Sequence, residues 1–174
     1  WIKSDITPYE MYVKFLYEYF KEEINDDLID SNKDSSKFYP DGFVPLQYQK
    51  DAVIQAKRIL EKHNGIFISD VVGLGKTYIC AMLGQELDGR SLFLCPPVLV
   101  DYWDRVLSDF GVRGYKVESE GKLDKIIEEG SEKYKYVFVD ESHRFRNAET
   151  EQYRQLHEIC VGKKVILISA TPQN

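Results

Sequence analysis

Four short apolar runs set the terms on which this chain can fold: residues 65–69 (GIFIS), 91–95 (SLFLC), 136–140 (YVFVD) and 164–169 (KVILIS). Each is too short for a buried helix and too continuously apolar for a half-exposed strand. Each therefore reads as a strand covered on both faces. Between them, residues 46–62, 76–87, 97–110, 122–129 and 150–160 read as helices, with one further strand at 114–118. This alternation predicts an α/β fold: a mostly parallel sheet with helices on both faces. Function in such sheets gathers beyond the carboxyl ends of the strands, where the unusual residues of this sequence also fall.

Composition narrows the classes of function. With 43% hydrophobic and 30% charged residues the chain resembles an ordinary globular protein, and no run of eighteen apolar residues predicts a membrane span. The net charge of −6, from 23 basic and 29 acidic residues, argues against holding nucleic acid by bulk charge. Any such contact has to be local or shared with another part of the protein. Cys80, Cys95 and Cys160 show no CxxC spacing and fit buried free thiols in a reducing cytoplasm. A start at Trp1 and an end at Asn174, inside a motif, lead us to expect a piece of a longer chain.

Three segments are expected. Residues 1–24 form an N-terminal helical extension, in which Thr7, Pro8 and Glu10 make a capping signature. Tyr9, Tyr12, Val13, Leu16, Phe20 and Ile24 follow at helical spacing and read as a packing face. Residues 25–42 are an acidic, polar linker with Pro40 and Gly42 near its end. Residues 43–174 carry the alternating helices and strands.

The first of two chemical motifs is DVVGLGKT at residues 70–77, which follows a strand and opens a helix. That context is the one a phosphate-binding loop requires. Gly73 and Gly75 permit backbone angles that turn successive N–H groups inward around phosphate oxygens. Lys76 would hold the β- and γ-phosphates as a point charge, and Thr77 would offer its hydroxyl to Mg²⁺. The helix N-terminus adds favourable partial charge. Val72, Gly73, Leu74, Gly75, Lys76, Thr77 and Tyr78 form the expected nucleotide-binding set. Asp70 stands where the strict GxxxxGK[ST] pattern has glycine, so the string fits the variant [AD]xxGxGK[ST].

The second motif is Asp140-Glu141-Ser142-His143, at the end of an apolar strand. Two adjacent carboxylates delivered there are costly without a partner. A magnesium ion with its water shell supplies one: Asp140 would hold the ion through water, and Glu141 would orient and deprotonate an attacking water. His143 could then bridge this motif to the segment Ser169-Ala170-Thr171-Pro172 and couple phosphate state to a polynucleotide site.

Taken in order, these strings resemble superfamily 2 helicases, and within them the Swi/Snf-like DNA-translocating ATPases. Residues 70–77 are similar to their motif I, residues 140–147 (DESHRFRN) to motif II, and residues 169–174 (SATPQN) to motif III. LCPPVL at residues 94–99, followed by Tyr102 and Trp103, resembles motif Ia, and LQYQ at 46–49 the adenine-reading segment. The resemblance spans residues 46–174. It implies the first RecA-like lobe of a two-lobed motor that binds ATP and magnesium, with Gln49 at the base edge and motif Ia, through Pro96 and Pro97, on the sugar–phosphate backbone. It implies duplex DNA as the polymer, a second RecA-like lobe as partner, and feeble or no hydrolysis by this lobe alone. Val71 and Val72 replace the Glu-Met common in remodelling ATPases, and Ser142 replaces the usual alanine of a DEAH box. These departures favour a bacterial type. The segment around residues 5–20 resembles the stretch preceding the motor in bacterial helicases that carry a phospholipase-D-like nuclease domain further upstream.

Two other classes were weighed. A phosphate-loop GTPase should carry NKxD after the loop, whereas the only similar string, Asn32-Lys33-Asp34, lacks the spacer and precedes it. A non-catalytic scaffold would not need Lys76, Thr77, Asp140 and Glu141 together. An RNA or single-stranded nucleic acid helicase, or a non-motor phosphate-loop NTPase acting on a protein partner, remain as the alternatives.

Overall fold

The computed structural model describes residues 38–69, 75–145 and 147–169. These belong to a compact unit of residues 38–174; the other unit, residues 1–37, with the expected N-terminal helix and most of the linker, lies outside the described residues.

The first helix, α1, spans Gln47–His63, with Leu46 just before it and Asn64 closing it in the left-handed region at φ 58°. Strand β1 (Gly65–Ser69) follows at once, and helix α2 (Lys76–Glu86) leads to β2 (Ser91–Cys95). The single helix expected at 97–110 is two elements. A 3-10 turn, Pro97–Leu99, precedes α3 (Val100–Asp109), because the Leu99 N–H closes a tight turn onto the Pro96 carbonyl at 2.9 Å. Strand β3 (Tyr115–Ser119), helix α4 (Leu123–Glu128), strand β4 (Tyr136–Val139), helix α5 (Glu151–Cys160) and strand β5 (Lys164–Ser169) complete the order. Thr150 caps α5, its hydroxyl accepting from the Tyr153 N–H at 3.2 Å.

The five strands form one sheet in the order β1-β5-β4-β2-β3, with every neighbouring pair parallel. Strand alternation sorts the side chains into two cores. Phe93, Cys95, Tyr136, Phe138, Ile166 and Ile168 pack on one side with the buried faces of α1, α2 and α3. Leu92, Leu94, Val137 and Val139 pack on the other with α4 and α5. Burial on both faces explains the continuous apolar runs, which a one-sided sheet would have broken with polar residues. Because all strands run the same way, Ser69, Cys95, Ser119, Val139 and Ser169 finish along one edge, and in the register Ser69 pairs with Ser169 and Cys95 with Ser119.

Candidate nucleotide-binding site

The described part of the phosphate loop begins at Gly75, at the head of α2. Its φ of 77° lies in the left-handed region. A Cβ there would sit 2.9 Å from Gln49 Nε2 and 3.3 Å from Tyr78 Cδ2, so both conformation and space demand glycine. Lys76 and Thr77 follow as the first residues of α2, half-buried. Gln49 is 4% exposed, and its Oε1 accepts from the Leu46 N–H at 3.0 Å, which turns the amide nitrogen towards Gly75. The structure therefore seats Gln49 against the end of the phosphate loop. Asp70, Val72, Gly73 and Leu74 lie outside the described residues.

Strand β4 delivers the acidic pair. The Asp140 N–H continues the ladder to the Leu94 carbonyl at 2.8 Å, which fixes where the side chain starts. Asp140 Oδ1 accepts from the Glu141 N–H at 2.9 Å, and Oδ2 accepts from the Trp103 indole N–H at 2.9 Å. Glu141 adopts φ 48°, a conformation that costs a non-glycine residue about 1 kcal/mol or more and that concentrates at functional turns. Its Oε2 lies 3.1 Å from His143 Nδ1, and the same nitrogen lies 3.4 Å from Ser169 Oγ. A carboxylate at neutral pH only accepts, so Nδ1 carries the proton of this pair. His143 thus links the acidic turn to the end of β5, where Ser169 is buried at 2% exposure. Thr171 and Pro172 lie outside the described residues.

The two motifs converge. The Cys80 thiol, one turn into α2, is pushed up by burial and by Asp140 while Lys76 opposes the rise. The Cys95 thiol at the end of β2 is pushed up to about 12 by burial first, then by Asp140, Glu120 and Glu118. The Tyr102 hydroxyl of α3 is raised, chiefly by burial, and lies close enough to Thr77, Tyr78 and Asp140 for each to affect it. Thr77 and Asp140 therefore lie in the same region of the fold. Among the described residues no group of three or more His, Cys, Asp or Glu could hold a metal by itself. One hydroxyl and one carboxylate, completed by phosphate oxygens and water, is the donor set Mg²⁺ takes, so the residues fit that ion.

Sequence reading missed two contacts here. Trp103 reaches Asp140 from α3, and Arg144, trailing the acidic motif, is paired with Glu120. The partners are far apart in the chain, and no local spacing announces them. The proline pair also divides: Pro96 extends the buried run of β2, whereas Pro97 and Val98 are exposed.

The all-parallel sheet, with Gly75, Lys76 and Thr77 opening α2 and the acidic pair at the end of β4, has the fold of a RecA-like lobe. No family model matches the chain. It is 27% identical over 175 positions to the "Putative ATP-dependent RNA helicase L364" of Acanthamoeba polyphaga mimivirus, covering 81% of this chain and 31% of that protein. It is likewise 27% identical over 157 positions to the "Uncharacterized ATP-dependent helicase YqhH" of Bacillus subtilis, covering 77% and 28%. The fold matches the Sulfolobus solfataricus SWI2/SNF2 ATPase core in complex with dsDNA, with a TM-score of 0.68 at 19% identity, over 77% of this chain and 33% of that one. The chain is thus similar in sequence to proteins described as ATP-dependent helicases, and its fold is that of a SWI2/SNF2 ATPase core. It spans about a third or less of the length of these relatives.

Proposed function

We propose that this lobe binds ATP with Mg²⁺ and, together with a second RecA-like lobe, couples hydrolysis to movement along duplex DNA. The observation that carries the reading is the convergence of Lys76 and Thr77 with Asp140 and Glu141 at one end of the sheet, joined through His143 to Ser169. Backbone N–H groups at the head of α2 and the Lys76 ammonium bind the phosphates. Thr77 and Asp140 are the residues that would hold the ion, which when bound would neutralise the charge that develops on the phosphates. Glu141, next to Asp140, takes the proton of the attacking water. The base is contacted by Gln49 and by the exposed ring of Tyr78 beside it. The segments around Pro96 and Pro97 and around Ser169 and Thr171 meet the polymer, and His143 reports phosphate state to them. The three free thiols suit a cytoplasmic setting.

The test is ATP hydrolysis by the longer protein carrying both lobes, at fixed salt, with duplex DNA, single-stranded DNA, RNA or no polymer. Strong stimulation by duplex DNA, absent in Glu141→Gln although that variant still binds ATP, is expected. Stimulation by RNA or single strands alone would keep the motor and discard duplex translocation. An ATPase indifferent to every polymer would point to a protein partner instead.

A further inference from the structure

We propose that Trp103 of α3 is a positioning residue for the magnesium of this site, acting through Asp140; the inference rests on the ATP-binding reading above. Asp140 has two oxygens, and both are committed on their inner sides: Oδ1 to the Glu141 N–H at 2.9 Å, Oδ2 to the Trp103 indole at 2.9 Å. Two donors from different elements leave a carboxylate a single orientation, with its outward lone pairs aimed in a fixed direction. A backbone donor from the next residue alone would let the group swing about its Cα–Cβ bond.

The indole suits this task because it donates only. It cannot compete for the cation, and it carries no charge that would repel one. Its place is set by the core. Trp103 is 2% exposed, its ring lies 5.5 Å from Phe93, and Phe93 stacks on Phe138 at 4.1 Å in the strand that delivers Asp140. The anchor and the carboxylate are therefore referenced to the same strand.

A buried tryptophan seeks some acceptor for its N–H, and Asp140 could serve that need alone. The second donor argues for more: the Glu141 N–H holds Oδ1 while the indole holds Oδ2, so the carboxylate is fixed at both oxygens from two different elements.

The first measurement is ADP affinity of this 174-residue chain in Mg²⁺ and in EDTA, for the native protein and Trp103→Phe. Trp103→Phe keeps an aromatic ring in the core and removes the donor. We expect its affinity in EDTA to stay within about twofold of native, while the gain conferred by Mg²⁺ falls roughly tenfold, the scale of a lost hydrogen bond to a charged group. Equal gains in native and Trp103→Phe proteins would overturn the proposal, as would equal losses in Mg²⁺ and EDTA, which mark a merely structural role. Absence of ADP binding by the native chain in both conditions would instead remove the nucleotide reading itself, and this inference with it.

The second measurement does not depend on how well a Trp103 variant folds. The chain has two tryptophans, so Trp1→Phe leaves Trp103 as sole reporter. Adding Mg²⁺ to its ADP complex should shift the indole emission, and Asp140→Asn should abolish the shift. Emission unmoved by Mg²⁺ with Asp140 intact would overturn the proposal.

Discussion

At the scale of single residues, the site divides into groups that announce themselves and groups that do not. Gly75 is of the first kind: glycine before Lys-Thr is legible as a phosphate loop, and the structure adds a steric reason in the amide of Gln49. Gly75→Ala is expected to destabilise the chain by about 1 kcal/mol or more, since φ 77° is unfavourable for alanine and the new Cβ displaces Gln49. Urea unfolding measures the loss, and ADP binding should weaken alongside it. Unchanged unfolding would mean that the loop relaxes into a different turn. Lys76→Ala, by contrast, removes a half-buried cation and should leave unfolding near native while abolishing nucleotide binding. Trp103 is of the second kind. Its partner is chosen by how α3 packs across the sheet, which is a property of the assembled core and leaves no spacing in the chain.

Among the elements, strands proved most legible. β1, β2 and β5 coincide with their apolar runs; burial on both faces stamps the whole of β2, whereas β1, at one sheet edge, keeps Phe67 44% exposed. β3 sits at a sheet edge, reads less clearly, and is displaced by one residue from its expected span at 114–118. At its end Glu118 is 7% exposed yet charged. Burial pushes its carboxyl upward, but the Ser119 N–H at 3.1 Å and Lys122 at 3.3 Å, with Lys116 beyond, outweigh burial and hold it below the usual value of 4.5. A folded-state value below the unfolded one adds stability that is present above pH 4.5 and is lost as pH falls through the folded value. Glu118→Gln should therefore be less stable than native near neutrality and lose less on acidification below pH 4.5. Urea midpoints from pH 7 down to pH 3 check this; parallel curves would show that the lysines do not favour the charged form. Helix ends were legible where a side chain caps them. Thr150→Ala is expected to cost about 1 kcal/mol by removing the acceptor for the Tyr153 N–H.

For the whole molecule, charge and length set what the chain does by itself. At −6 it carries an overall field that opposes a polyanion, and Arg144, the basic residue nearest the acidic motif, is already engaged by Glu120. Contacts to DNA from this lobe should then come mainly from polar and backbone groups around Pro97 and the end of β5, which neutralise few phosphates. Each neutralised phosphate adds roughly 0.9 to the slope of log affinity against log salt. The 174-residue chain should accordingly bind duplex DNA weakly, with a shallow slope, and hydrolyse ATP slowly despite binding it. The longer protein should show a steeper slope and faster, duplex-stimulated turnover, because the second lobe brings the remaining phosphate contacts and closes on the nucleotide. Fluorescence anisotropy of a labelled duplex across a salt series, run on both proteins, measures the difference. Equal steep slopes would place the main DNA-binding surface on this acidic lobe, in a local basic patch, and the second lobe would then owe its role to the nucleotide alone.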